Sequence, residues 1–193
     1  MRTSRYTTCV LASLILLAVG LAHSAQAQPV GSFPDGQLTP AFTDTLRVDQ
    51  VAQDNGFTTV RATGEPFTGT VIDTYEGGAK KLRRAVVEGL PEGLWMEWYE
   101  SGVPRYMATW QRGRGEGVWT YFHETGEVRE RVLVTGDVYD GPVEGWHANG
   151  QKAFEGHHRA NQKDSRWRYW DEAGRMTKVE VYRGGTLLST RTP

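Results

Sequence analysis

The sequence predicts an all-β protein: tandem 24-residue β-hairpin repeats forming one elongated, twisted antiparallel sheet, preceded by a signal peptide. Three observations predict it. Five segments align without gaps, Gly69 to Gly78, Gly93 to Gly102, Gly117 to Gly126, Gly141 to Gly150 and Ser165 to Gly174, with starts always 24 residues apart. Two turn signals recur within each period, and an internal repeat of this length marks a repeat architecture. Between the turns lie short runs rich in Val, Tyr, Trp and Thr, such as Tyr106 to Trp110, Arg131 to Val134 and Lys178 to Tyr182, which have strand composition and are too short for helices.

At the N-terminus, Arg2 and Arg5 precede an apolar run from Cys9 to Ala22 and the small-residue motif Ala25-Gln26-Ala27. This reads as a secretory signal peptide over residues 1–27, cleaved after Ala27, because its apolar run falls short of the ~20 residues that span a bilayer. Cys9 stands at the start of the run rather than its end, so no lipid anchor is predicted. The mature chain then has no cysteine, which excludes disulfides, thiol catalysis and cysteine metal sites. Removing residues 1–27 leaves 166 residues with 20 Lys/Arg against 23 Asp/Glu, a net charge of −3. That balance gives no global field for nucleic acid, and no nucleic-acid partner is expected.

Residues 28–56, with Pro29, Pro34, Gly36 and Pro40, read as a linker or partly ordered segment, and 57–193 as the repeat domain. Phe57 to Ala62 is expected to cover the N-terminal edge of the array, and Thr186 to Ser189 the other edge.

Positions within a unit are counted from its first residue. Position +2 is Val71, Trp95, Trp119, Val143 and Trp167; position +5 is aromatic in four units, as Trp98, Phe122, Trp146 and Trp170, with Thr74 beside Tyr75 in the first. Position +9 is Gly78, Gly102, Gly126, Gly150 and Gly174. Position +20 is Gly89, Gly113, Asp137, Asn161 and Gly185, residues that accept positive φ at least cost. Each unit is therefore a strand, a turn on glycine, a second strand and another turn, continuing an antiparallel meander. A single sheet leaves only a thin core, built on the aromatic stripe. Positions +2 and +5 have opposite parity, so either a bulge intervenes or both faces are partly covered.

The pattern G-x-W-x-x-aromatic-x-x-x-G, with a turn residue eleven positions later, resembles the bacterial variant of the MORN repeat. The resemblance covers about 120 mature residues, Gly69 to Leu188, and Gly64-Glu65-Pro66-Phe67-Thr68-Gly69 looks like the lead-in of such arrays. Departures are Val71 and Val143 for tryptophan, Ser165 for the opening glycine, and Gly145 inside a strand. The resemblance implies a scaffold or a protein- or lipid-contacting module, and it carries an antitoxin label. In an exported protein that label implies immunity against an exported toxin rather than a cytoplasmic one.

Binding is expected in columns of equivalent positions, about 10 Å apart across two strands. Position +6 is Tyr75, Tyr99, His123, His147 and Asp171. First-shell zinc ligands lie about 2 Å from one ion, so this column is not read as a metal site, and the adjacent His157 and His158 would face opposite sides of a strand. Position +12 is Lys81, Arg105, Arg129, Ala153 and Thr177; with Arg83 and Arg131 it suggests a basic stripe on one face, for phosphate, anionic lipid or an envelope polymer. The ordinary reading, a solvated face, is preferred. No nucleophile, metal or phosphate-loop motif is present, and Glu97, Asp140 and Glu144 form no pairing that the sequence establishes. The expectation is a non-catalytic, cofactor-free, exported binding or scaffold protein of the cell envelope, periplasmic or extracellular, whose partner is another protein. A membrane-surface or polyanion binder stands second, and an enzyme on a glycan along the aromatic row third.

Overall fold

The computed structural model describes residues 42–193. The expected signal peptide, its expected cleavage site and the first half of the expected linker lie outside the described residues. The elements are β1 (Thr45–Arg47), a 3-10 turn (Val48–Gln50), β2 (Val51–Asp54), β3 (Phe57–Val60), β4 (Gly69–Thr74), β5 (Lys80–Val87), β6 (Leu90–Pro91), β7 (Gly93–Trp98) and β8 (Pro104–Gln111). They continue with β9 (Arg114–Phe122), β10 (Val128–Thr135), β11 (Val138–Trp146), β12 (Lys152–Arg159), β13 (Gln162–Trp170), β14 (Met176–Arg183) and β15 (Thr186–Arg191). From β4 onward each strand pairs antiparallel with the next in one meander, with the short β6 also on β5, while β2 and β3 form a separate hairpin.

The turns follow the residues that allow them. At one edge of the sheet the two-residue loops are Glu88-Gly89, Arg112-Gly113, Gly136-Asp137, Ala160-Asn161 and Gly184-Gly185, and both residues of every pair have positive φ. This is the type I′ geometry whose twist matches a β-hairpin. The N–H of each +20 residue then donates to the carbonyl two residues before its own unit begins: Gly89 to Phe67, Gly113 to Pro91, Asp137 to Gly115, Asn161 to Tyr139 and Gly185 to Lys163, at 2.8 to 3.1 Å.

Both faces are partly covered, with +2 and +5 on opposite sides; the bulge lies on the facing strand and not between them. In every unit the register slips by one residue opposite +4 and +5, and the unpaired residue on the facing strand is Lys81, Arg105, Arg129, Ala153 or Thr177. The +12 column is thus the column of β-bulges. The +2 and +4 side chains lie on one face, and the +5 side chains on the other, where Phe122 is 1% exposed.

The N-terminal end corrects one expectation. The array's edge is covered by β1, which pairs in parallel with β4, and not by Phe57 to Ala62. Within the segment read as a linker or partly ordered, residues 45–54 form β1, the 3-10 turn and β2. Val51 packs with Phe67, Val71 and Val86, and Leu46, Val48 and Val60 close around them. The hairpin therefore adds a second layer over the first unit, where Val71 stands in place of tryptophan. A second cluster, Val132, Val134, Val143 and Trp167, lies under the rings of Trp119, Tyr121, Tyr139, Phe154, Tyr169 and Tyr182. At the other end β15 pairs with β14.

Candidate binding face

The +2 and +4 face carries a continuous chain of rings. Trp95 lies against Trp110 with centroids 4.7 Å apart, Trp110 against Trp119 at 5.4 Å, and Trp119 meets Tyr106 and Tyr139 edge-on at 5.8 and 6.2 Å. Tyr139 contacts His158 at 5.8 Å, His158 contacts Trp167 at 5.2 Å, and Trp167 reaches Phe154, Tyr169 and Tyr182. Three indole N–H groups are used internally: Trp95, Trp119 and Trp167 donate to the carbonyls of Ala85, Thr109 and His157, ten residues back in each case. Most of these rings are half-buried, as expected of one-sided packing on a sheet.

Three glycines on this face make room for rings. A Cβ on Gly115 would collide with the Trp119 indole, one on Gly156 with the Trp167 indole, and one on Gly145 with the Phe154 ring. Gly145, a departure from the repeat pattern, is thus the seat of Phe154.

Charge along this face is largely internal. Lys81 pairs with Asp73 at 2.8 Å, Arg105 with Glu97 at 3.8 Å, and the Arg129 guanidinium lies over the Tyr121 ring at 5.4 Å. These bulge cations therefore answer the +4 residues of their own units. Arg131 points the other way, over the Trp146 ring at 5.6 Å, and Arg83 pairs with Met96 beyond the bulge, so the five basic residues do not form a stripe on one face. Glu97, Arg105, Tyr106, Tyr121 and Arg129 line a shallow groove of about 260 Å³. Burial holds the Tyr106 and Tyr121 phenols protonated well above their ordinary range, and burial, with His157 and Lys163 nearby, lowers the His158 imidazole below its ordinary value. At the C-terminal end Lys163 sits over Trp167, Tyr169 and Tyr182, with Nζ donating to the Tyr169 hydroxyl at 2.8 Å.

The +6 column does something other than present itself to a ligand. The Tyr75 hydroxyl donates to the Trp98 carbonyl at 2.8 Å, Tyr99 to Phe122 at 2.9 Å, His123 Nε2–H to Trp146 at 2.8 Å and His147 Nε2–H to Trp170 at 2.9 Å. Each straps one unit to the +5 carbonyl of the next. In the fifth unit Asp171 instead accepts from the N–H groups of Ala173 and Arg175 and pairs with the Arg175 side chain, closing its own turn. Among the described residues no group of three or more His, Cys, Asp and Glu side chains converges as a metal site.

Of the acidic residues without a pairing legible in the sequence, Glu97 meets Arg105 and Glu144 binds Lys152 at 2.7 Å. At the residue before four of the five units, Thr68, Glu92, Glu116 and Asp164 accept the first N–H of the type I′ turn, from Glu88, Arg112, Gly136 and Gly184, while Asp140, before the fourth unit, is exposed and accepts no such bond. Sequence reading missed Tyr106, Trp110, Tyr121, Tyr139 and Tyr182 as members of the face. Only Tyr121 carried a signal within its own strand, two residues from Trp119; Tyr106 and Trp110 flank Ala108, the partner of Trp95, and Tyr182 lies two residues from Glu180, the partner of Trp167, so their place on the face follows from the register between strands.

No curated protein matches the chain. Residues 91–112 and 115–134 match the family model of the MORN repeat variant, which identifies two copies of that repeat within the array.

Proposed function

We propose that the mature chain is an exported, non-catalytic binding or scaffold protein of the cell envelope that takes a protein partner on the aromatic face between Trp95 and Tyr182. One observation carries the reading. The first unit has a second layer over its apolar face, whereas among the described residues none covers the rings from Trp95 onward. A long, half-buried aromatic surface on a rigid repeat sheet suits an extended partner, and the matched MORN repeats are in keeping with a binding role. Anionic-surface binding through Lys81, Arg105 and Arg129 has less support, because Asp73 and Glu97 neutralise two of them.

The test is a photocrosslinking amino acid placed in intact cells at Tyr121, on the aromatic face, or at Thr120, on the reverse face. A discrete adduct from position 121 alone is expected; no adduct, or the same adduct from both, overturns the reading. Export is tested on the same cells: protein from the envelope fraction should begin at Gln28, and an unprocessed chain confined to the cytoplasm refutes it.

A further inference from the structure

On the reverse face, at the C-terminal end, side-chain length alternates across three strands. Arg168 on β13, Val179 on β14 and Arg191 on β15 form one cross-strand row, and Arg166, Val181 and Ser189 the next. Short valines between long arginines make a channel along β14, with Met176 at one end and a volume of about 480 Å³. That size falls within the roughly 300–1,000 Å³ of small-molecule sites.

The charges on its walls are not equivalent. Arg168 is committed to Glu155 at 2.6 Å. Among the described residues the Arg166 and Arg191 side chains make no ion pair, hydrogen bond or ring contact, so two guanidinium forks stand on opposite walls of an apolar floor without an acceptor. Floor and walls ask for different chemistry, and only a ligand with both satisfies them. Guanidinium pairs planar or tetrahedral oxyanions through charge-assisted hydrogen bonds, while Val179, Val181 and Met176 gain from covering by a hydrocarbon.

We infer that this channel binds a single-chain anionic amphiphile, with its carboxylate or phosphate head between Arg166 and Arg191 and its alkyl chain along Val179 and Val181. The site is separate from the aromatic face, so its failure and that of the proposed protein-binding role are independent. The bound head stays at the sheet surface, accessible to solvent, and the chain lies in a groove rather than a closed cavity.

Calorimetric titration of the purified protein with dodecanoate, below its micelle concentration, tests this. One saturable site is expected, with dodecyl phosphate competing, dodecanol failing to bind, and Tyr121→Ser on the other face binding as wild type does. The Arg166→Gln/Arg191→Gln double variant, which removes only exposed and unpaired charges, should keep its circular dichroism and lose roughly tenfold or more in affinity. Equal binding of dodecanol, or undiminished affinity in the double variant, overturns the inference. So does binding to vesicles of anionic phospholipid without binding of monomeric dodecanoate, which would assign the arginines to a membrane surface.

Discussion

The Tyr99 hydroxyl donates to the Phe122 carbonyl at 2.9 Å, across 23 residues and one repeat. The same strap is made by tyrosine twice and by histidine twice, so what the column requires is a ring long enough to carry a donor over two strands. Tyr99→Phe keeps the ring and removes the donor, leaving a partly buried carbonyl unsatisfied. A loss of about 0.5–1.5 kcal/mol in urea unfolding is expected, and no loss would mean that water replaces the strap.

Trp119 touches Trp110, Tyr106 and Tyr139, and its indole reaches the Thr109 carbonyl. Trp119→Ala is expected to cost about 3–5 kcal/mol. An unchanged thermal melt would show that the aromatic row contributes nothing to folding.

Gly156 offers the reverse experiment, adding one methyl under the Trp167 indole. Gly156→Ala should destabilise by roughly 1–3 kcal/mol through displacement of the ring, visible as a change in near-ultraviolet circular dichroism. Gly102→Asn, at a turn with positive φ and no neighbour near its missing Cβ, should be close to neutral by the same measurement.

Glu180 supplies a pH signature. The Lys178 ammonium at 2.8 Å, helped by the Tyr169 and Tyr182 hydroxyls, outweighs burial and holds its carboxyl down at about 2 from an ordinary 4.5. A depressed carboxyl contributes stability that is complete above the unfolded value and is lost as pH falls through the folded one. The gap in melting temperature between wild type and Glu180→Gln should therefore be widest above about pH 4.5 and close toward pH 2. A constant gap over that range would exclude the linkage.

Removing residues 117–140 deletes one complete unit and lets the strap from Tyr99 meet Trp146. A shorter folded protein is expected, whereas removing 12 residues leaves an odd strand and mismatched turns. Equal loss of stability in the two, measured by chemical denaturation, would refute the register.

Much of this was legible because the repeat declares its backbone. The turn residues at +20, the glycines at +9 and the alternation of strands followed from residue type alone, since few residues tolerate positive φ. The opposite parity of +2 and +5 left a bulge and two covered faces as alternatives, and the sequence could not say that Lys81, Arg105 and Arg129 on the facing strand are bulged residues; a bulge is a count of partners across two strands, and one strand carries only half of it. For the same reason Arg83 and Arg131 looked like part of the basic column. The straps were hidden differently: Tyr75 and His123 bind main-chain carbonyls, which every residue has, so nothing in the receiving unit marks the site. The edge strand β1 escaped because three residues, Thr45–Arg47, are too few to show a period.

Because each strap begins on a side chain of one unit and ends on the backbone of the next, the link does not depend on what the next unit is made of. Duplicating 24 residues would reproduce every bond already present and demand no new one. Length is consequently a free variable of this architecture: the distance from the covered first unit to β15 can change only in whole steps of about 10 Å, with both ends left as they are. The molecule has the construction of a gauge, in which the number of copies, rather than any single residue, sets how far apart its two ends are held.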